Sequence, residues 1–346
     1  MYQNTQMGVI GFSKTFEPRL IKPKDLKNLT LAIDASVLIY KAALGAASIK
    51  TLTDVDDNPT LHISVILAKA LNFEKVRAGQ VWVFDFHEKG YESPDKELEL
   101  AKRKKKRVDA NKKLTALKTK KEKIADELFS SDDDDDKIDK EICDMEKQCF
   151  SMSDQLINDC KFILDCLDIT WCTTPKGYEA EHLCATLTNE DDLDVGCDAV
   201  FSTDADAVLY GAQQLIREVK VKSKKILQLY ELDKILDDAE INIDDLIKIG
   251  VILGTDHAPK TAGVGPKTVL KKYKDVELTE NQNNAVAVFQ KTINIETIKF
   301  SNDFGSVEIC QDKNKITKLI DWLVNTKNFN RDRVKKQVMK VYEGEL

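Results

Sequence analysis

Two pairs of carboxylates stand out within otherwise apolar stretches of the chain. Glu179 and Glu181 flank one alanine in YEAEHLCATL, and Asp204 and Asp206 flank another in FSTDADAV. Carboxylates gathered on core elements repel each other and resist transfer out of water, so a fold keeps them only where something positive lies between them. The pattern therefore indicates either a metal ion or a ring of basic side chains as their partner.

Four short runs, rich in β-branched and aromatic residues, predict the strands that position these acids. Helix-length stretches separate the runs, which is typical of a parallel α/β sheet. Three of the runs contain or end in an aspartate, and the other leads into the glutamates within a few residues. The runs are LTLAID (29–34), VWVFD (81–85), ITWC (169–172) and DAVFSTD (198–204).

Acids at the carboxyl ends of parallel strands can meet at one edge of the sheet, where ligands of such sheets bind. We expect six acids to line one site there, since separate roles as helix caps or turn residues would explain only one or two of them. They are Asp34, Asp85, Glu179, Glu181, Asp204 and Asp206. Because no His or Cys accompanies them, the ligand set favours a hard cation such as Mg²⁺, which is usually completed by waters and phosphates. Two such ions about 4 Å apart are the usual arrangement for attack on a phosphodiester.

Charge is distributed in blocks that the formal net charge of −7 conceals. Twelve Lys or Arg stand against two acids between Lys102 and Lys123, and a run of aspartates, Asp132–Asp136, follows and is expected to form a solvated loop. A solvent-exposed charged hairpin is one explanation of both blocks. The other is that the basic block draws a polyanion such as nucleic acid towards the acidic site.

Composition is that of an ordinary globular protein with 42% hydrophobic residues. No stretch approaches the roughly 20 apolar residues of a membrane span, and MYQNTQMGVIGF lacks the features of a signal peptide. We expect a soluble, intracellular protein without a membrane partner. The eight cysteines contain no CxxC pair and are expected to be reduced and without chemistry.

A glycine hairpin, GVGPK (263–267), follows the acids and leads into a predicted helix. Glycines let backbone N–H groups approach a phosphate closely, and a helix N-terminus adds partial positive charge. Glycine turns before helices are common, so the hairpin gains meaning only from the acids that precede it.

Eight stretches in one order resemble the flap endonuclease/XPG superfamily of structure-specific 5′ nucleases, over roughly residues 7–275. The resemblance implies an α/β, PIN-like 5′ nuclease fold: a central twisted, mostly parallel sheet flanked by helices, with a helical arch insertion and a C-terminal helix-two-turn-helix region. The stretches are MGVIGFSK (7–14), LAIDASVLIY (31–40), VWVFD (81–85), ELAKRKKKR (99–107), YEAEHLCATL (178–187), STDADAVLYG (202–211), ILGTDHA (252–258) and GVGPKTVL (263–270).

The resemblance assigns roles to residues of this chain. It implies that Asp256 joins the six acids as a metal ligand. Lys96 and Arg103 match a basic pair that steadies the scissile phosphate, and Tyr40 matches an aromatic that stacks on a base, although a core role for Tyr40 stays open. The positions implied to contact DNA are Gly8, Lys102, Lys104, Lys105, Lys106, Arg107, Gly263, Val264, Gly265 and Lys267.

The implied organisation is an α/β nuclease core, an arch, a duplex-binding region and a tail. The implied cofactors are two Mg²⁺ ions, for which Mn²⁺ can substitute, and a K⁺ ion in the helix-two-turn-helix, although Lys260 replaces a serine that contributes to that site in relatives. Met7, before Gly8, matches the family's initiator, which leaves residues 1–6 as either an extension or not native. The expected boundaries are 7–85 and 166–243 for the core, 86–165 for the arch with its acidic loop, 244–300 for the helix-two-turn-helix region and 301–346 for the helical tail.

The implied activity is Mg²⁺-dependent 5′ flap endonuclease and 5′→3′ exonuclease action on branched or 5′-flapped double-stranded DNA, in replication, repair or recombination. We expect a monomer, in the nucleus of a cellular eukaryote or at the cytoplasmic replication site of a large DNA virus. Binding to a sliding clamp is not expected, because VMKVYEGEL lacks the glutamine and paired aromatics that relatives use. Alternatives are a Holliday-junction resolvase or a mainly exonucleolytic relative, an inactive DNA-binding scaffold and, more weakly, RNA cleavage.

Overall fold

A seven-stranded sheet forms the centre of the computed structural model, which describes residues 8–45, 53–56, 58–86, 94–126, 132–189, 196–221, 224–302 and 312–342. The strands are β1 (Arg19–Ile21), β2 (Thr30–Asp34), β3 (Gly79–Phe84), β4 (Thr170–Thr173), β5 (Ala199–Phe201), β6 (Gln214–Val221) and β7 (Lys224–Glu231). They lie in the order β1-β7-β6-β5-β2-β3-β4.

The four predicted strands form the parallel half of this sheet. Neighbours from β4 through β3, β2 and β5 to β6 pair in parallel, whereas β7 pairs antiparallel with both β6 and β1. The predicted mostly parallel α/β fold is therefore confirmed. The hairpin of β6 and β7 escaped prediction because Lys220, Lys224 and Lys225, near its far end, are charged and exposed, which masks the alternation of its buried end.

Helices cover both faces of the sheet. They are α1 (Phe12–Thr15), α2 (Ala35–Gly45), α3 (Leu61–Val76), α4 (Pro94–Asp126), α5 (Asp132–Cys149), α6 (Asp154–Cys166), α7 (Ala180–Leu187), α8 (Asp206–Leu209), α9 (Leu232–Ala239), α10 (Ile243–Leu253), α11 (Val269–Lys272), α12 (Glu280–Phe289), α13 (Lys313–Asn325) and α14 (Arg331–Tyr342).

Side chains alternate between two cores along each central strand. Val81 and Val83 of β3 face the core that α7, α10 and α12 complete, while Trp82 and Phe84 face the core of α3, α6, α13 and α14. Burial on both faces is why these strands read as continuous apolar runs in the sequence.

The expected arch is built from two long helices, α4 and α5, which pack along each other. Ala110 of α4 and Ile138 of α5 are buried, and Lys118 forms an ion pair with Glu146 at 3.4 Å. The run Asp132–Asp136 was expected to form a loop, and this was wrong: it forms the start of α5. Acidic residues are favoured in the first turns of a helix, where they face the positive end of the helix dipole.

The segment that follows the sheet has the predicted helix, loop, helix order. Asn242 caps α10 by accepting a hydrogen bond from the Asp245 N–H, and Gly254 ends the helix with a φ of 99°. The helix after the glycine hairpin, α11, is only four residues long. Within the described residues, no helix is long and apolar enough to cross a membrane.

Candidate active site

Asp34 lies where β2 passes directly into α2, at the centre of the sheet. Its Oδ1 accepts a hydrogen bond from the Val37 N–H at 3.0 Å, so the carboxylate caps the helix. Its Oδ2 accepts a hydrogen bond from Ser202 Oγ at 3.0 Å, which links β2 to the end of β5. The side chain is fully buried.

Asp85 follows β3 and holds the start of α7 in place. Its Oδ1 accepts a hydrogen bond from the Ala180 N–H at 2.8 Å, and its own N–H donates to Ser36 Oγ at 3.3 Å. The first turn of α7 therefore sits against the end of β3, and it carries the glutamate pair.

Glu179 and Glu181 lie at the N-cap and in the first turn of α7, respectively. Glu179 Oε2 accepts a hydrogen bond from His257 Nε2 at 3.0 Å and one from the Tyr210 hydroxyl at 3.4 Å. Because a carboxylate can only accept hydrogen bonds, the contact with Glu179 places a proton on Nε2 of the His257 ring. Both side chains thus hold the same oxygen of Glu179.

Asp204 and Asp206 follow β5, and hydrogen bonds hold the backbone of this segment in place. The buried Arg217 donates to the Thr203 carbonyl from Nε and Nη2, at 3.1 and 2.8 Å. The Asp206 N–H donates to Asp204 Oδ1 at 2.9 Å. Both carboxylates are almost completely buried.

Gly8 lies directly on this aspartate pair. A Cβ placed on it would stand 1.8 Å from Asp204 Oδ1 and 2.9 Å from Asp206 Oδ1, and its φ of +75° is one that side chains disfavour. The structure thus places this predicted DNA-contacting position against the acids.

The pKa values show how closely the acids are gathered. Burial first, and then the charge of Asp85, raise the pKa of Asp34 to about 8, against hydrogen bonds that lower it. Burial also raises the pKa of Glu181 well above its ordinary value, with further contributions from Asp34, Glu179, Asp204 and Asp85. Acids that follow β2, β3, β4 and β5 therefore interact electrostatically with one another.

The donor set fits divalent cations that keep water and phosphate ligands. Within the described residues, no group of three or more His, Cys, Asp or Glu is arranged to hold an ion by itself. Mg²⁺ usually takes only one or two protein carboxylates and leaves its other positions to waters and substrate phosphates. Crowded carboxylates whose pKa values are raised by burial and then by mutual repulsion are the donors whose negative charge such a cation would stabilise. Asp256 is half-buried and immediately precedes His257, which contacts Glu179.

The glycine hairpin lies beside the N-terminal loop that carries Gly8. A Cβ on Gly11 would stand 2.3 Å from Pro266 Cγ, and Thr15 Oγ1 donates to the Pro266 carbonyl at 3.3 Å. Among the described residues, and apart from each glycine's own chain neighbours, no atom lies within 4 Å of a Cβ position on Gly263 or Gly265, so this backbone is open to a ligand.

Of the other hairpin positions, Lys267 is exposed, whereas the side chain of Val264 packs partly against the core. A contact of Val264 with DNA is thus limited to its backbone.

The predicted basic positions lie along α4. Lys102, Lys104, Lys105 and Lys106 are exposed and Arg107 is half-buried. Lys96 and Arg103 also belong to α4, but their side chains lie outside the described part of the structure.

Tyr40, on α2, is half-buried, and its ring centroid is 6.0 Å from that of Phe150. This contact leaves both of its expected roles open.

Several residues that shape the site were not found from the sequence. They are His257, Tyr210, Ser202, Ser36 and Arg217. Tyr210 and His257 stand inside matched stretches, but nothing in the spacing of the residues shows that their side chains meet Glu179.

Comparison with known proteins shows similarity over nearly the whole chain. The XPG N-terminal domain matches residues 7–110 and the XPG I-region matches residues 168–256. The sequence is 26% identical to Flap endonuclease 1-A of Oryza sativa subsp. japonica, over 97% of this chain and 86% of that protein.

Solved structures share the fold. Flap endonuclease-1 from Methanococcus jannaschii superposes with a TM-score of 0.67 at 22% identity, covering 96% of this chain and 98% of that one. The catalytic core of Rad2 in complex with DNA substrate gives 0.63 at 15% identity, covering 96% and 100%.

Proposed function

The chain belongs to the flap endonuclease/XPG superfamily, and from this premise we propose that it is a divalent-metal-dependent 5′ flap endonuclease acting on branched or 5′-flapped double-stranded DNA. The observation that supports this most directly is the convergence of acids from four strand ends on one buried site. The open glycine hairpin beside them and the basic face of α4 supply two surfaces for phosphates.

Seven carboxylates are proposed to hold two Mg²⁺ ions, which Mn²⁺ can replace. They are Asp34, Asp85, Glu179, Glu181, Asp204, Asp206 and Asp256. When bound, such ions polarise the phosphoryl oxygens and lower the pKa of a water ligand, so that it attacks the phosphodiester at neutral pH.

The remaining roles fall to this chain's own residues. Arg217 fixes the backbone ahead of Asp204, and His257 and Tyr210 hold Oε2 of Glu179. Lys96 and Arg103 of α4 are proposed to neutralise the scissile phosphate. The backbone N–H groups of Gly263, Val264 and Lys267 are proposed to bind duplex phosphates without reading base sequence.

A Holliday-junction resolvase or a mainly exonucleolytic enzyme would use the same acids and differ in the DNA shape it accepts. A panel of flap, nicked, gapped and four-way DNA, with Mg²⁺ or EDTA, separates these activities. We expect the fastest cleavage on the 5′ flap, and preference for the four-way junction would favour the resolvase.

Asp204→Asn tests the metal-dependent site itself. The variant keeps the shape of the side chain but removes its charge, so we expect cleavage to fall by at least about a hundredfold while DNA affinity, measured in EDTA, changes little. Unchanged turnover would reject the proposed site. Asp198→Asn, at the other end of β5, serves as the matched control for removing one carboxylate from this strand.

A further inference from the structure

A cleft of about 700 Å³ opens beside the acids on the β3 and β4 side. Asp85 is among its lining residues, α6 and β4 supply one part of the lining, and the segment 297–301 supplies another. Apart from Asp85, the residues that line this cleft have no part in the mechanism described above.

The walls of the cleft are fixed rather than loosely apposed. Ser301 exchanges two hydrogen bonds with the backbone of Trp171: its N–H donates to the Trp171 carbonyl at 2.9 Å, and its Oγ accepts from the Trp171 N–H at 3.0 Å. The Phe86 N–H donates to Thr174 Oγ1 at 2.9 Å. The space is therefore preformed, as ligand sites usually are.

The chemistry of the lining suits a nucleotide. Phe86, Trp171 and Phe300 offer apolar and aromatic surface. The charged residues of the lining are Lys161, Lys299, Asp154 and Asp85, of which the two lysines would contact a phosphate. The Lys161 ammonium lies 4.2 Å from the Trp171 ring centroid and donates to Thr173 Oγ1 at 3.0 Å. Among the described residues, Lys161 forms no salt bridge with a carboxylate. Its ammonium is therefore available for a charge-assisted hydrogen bond to a phosphate.

Sheet order sets the direction in which a DNA strand would cross the site. Asp204 follows β5, on the side where Gly8 and the glycine hairpin lie. The cleft lies on the opposite side, past β2 and β3, at edge strand β4. A strand held as duplex at the hairpin, with its scissile phosphate over the acids, leads its unpaired continuation into the cleft.

We propose that the cleft between α6, β4 and residues 297–301 binds an unpaired nucleotide of the flap, with its base against the aromatic side chains and its phosphate at Lys161 and Lys299. This inference rests on the proposed function and adds a single-strand subsite to it. Stacking of one base on an aromatic side chain stabilises a bound single strand, so such a subsite would favour a flapped over a blunt end.

The test compares two DNA probes, a blunt duplex and the same duplex carrying a short 5′ thymidine flap. Their dissociation constants are measured by fluorescence anisotropy in EDTA for the wild type, Lys161→Met and Lys318→Met. Lys318 is the matched control, because its ammonium also lies over a ring, that of Phe162 at 5.2 Å, but outside the cleft. We expect Lys161→Met to weaken binding of the flapped probe by roughly five- to tenfold and to leave the blunt duplex unchanged.

Equal losses on both probes, or no loss on either, would overturn the subsite. If Lys161→Met lowers the melting temperature markedly, the exposed Lys299→Ala decides instead, with an expected loss of about two- to threefold on the flapped probe alone. In Mg²⁺, both variants should raise the KM for flapped DNA and keep the KM for a nicked substrate without a flap. A wild type that cleaves no DNA would refute the proposed function, whereas one that cleaves flaps with unchanged variant KM values refutes only the subsite.

Discussion

Hydrogen bonds around Glu179 illustrate how single residues prepare this site. His257 and Tyr210 approach the same carboxylate oxygen, and the Tyr210 ring stacks on that of His182 with centroids 4.3 Å apart. Burial and the charges of Glu179, Asp206 and Glu181 raise the pKa of the Tyr210 hydroxyl, so it stays a donor. Preorganised hydrogen-bond donors of this kind fix the orientation of the Glu179 carboxylate before substrate binds.

Gly8→Ala tests the close contact between the N-terminal loop and the aspartate pair. The added Cβ would overlap Asp204 Oδ1, so the loop or the carboxylate must move, and a displacement of about 1 Å can cost roughly a hundredfold in rate. We expect a loss of this size in kcat/KM on flapped DNA. Gly211→Ala is the control, since its φ is also positive, +87°, but its nearest neighbour atom is 3.4 Å away. Equal losses in both variants would assign the effect to backbone strain alone.

Glu74, which lies outside the acidic site, is expected to make the stability of the protein depend on pH. Burial raises its pKa to about 7, despite a hydrogen bond of 2.6 Å from Gln80 that lowers it. Below about pH 4.5, the Glu74 carboxyl group is protonated in both the folded and the unfolded state. Between about pH 4.5 and pH 7 it loses its proton only in the unfolded state, so the free energy of unfolding falls as pH rises.

The Glu74→Gln substitution replaces the titrating carboxyl group with an amide, so it should abolish this pH-dependent loss of stability. We expect its free energy of unfolding to exceed that of the wild type by at most about 3 kcal/mol at pH 8, and by little at pH 5. Urea unfolding in EDTA at both pH values measures the difference, with the exposed Glu17→Gln as control. A gain that does not depend on pH would contradict the raised pKa.

Among the elements, α4 is the one that we propose attracts DNA, through its exposed lysines. Its lysines at 102, 104, 105 and 106 are exposed, although one side of the helix packs on α5 through Ala110. A helix with one docked side and one basic side is suited to non-specific phosphate contacts.

Replacing these four lysines with glutamine tests the role of α4. Each phosphate contact adds about 0.7 to the slope of log affinity against log salt for a single strand, so we expect a slope shallower by up to about three. Anisotropy titrations over a range of salt measure it. Exposed lysines 22, 24 and 27, replaced in the same way, are the control. An unaltered slope would support the solvated-face explanation of the basic block.

At the scale of the whole molecule, a buried ion cluster ties the C-terminal helices to the core. Lys327, between α13 and α14, places its ammonium 2.8 Å from Asp159 Oδ2 on α6 and 3.3 Å from Asp54 Oδ2. Only 7% of Lys327 is exposed. The expected helical tail is therefore part of the core face formed by α3 and α6.

Lys327→Met should lower the free energy of unfolding by about 3–5 kcal/mol, because it leaves two buried carboxylates without their cation. Lys315→Met also removes an ion pair, with Asp168, but both of those side chains are at least one-third exposed, and we expect a loss below about 1 kcal/mol. Urea unfolding compares the two variants. Losses of similar size would show that the cluster adds nothing beyond a surface pair.

The sequence by itself determined the parallel strands and the acids at their ends, because buried strands are short and apolar and a carboxylate next to one is conspicuous. It also determined the family, through motifs such as YEAEHLCATL and STDADAVLYG. These features are local, so they can be read along the chain.

Only the tertiary structure decided which side chains serve those acids. His257 meets Glu179 across 78 positions and Ser202 meets Asp34 across 168, and such pairs leave no periodic signal. The cleft at Lys161 was hidden for the same reason. It depends on packing between distant segments, which sets burial and hydrogen bonding but not local composition.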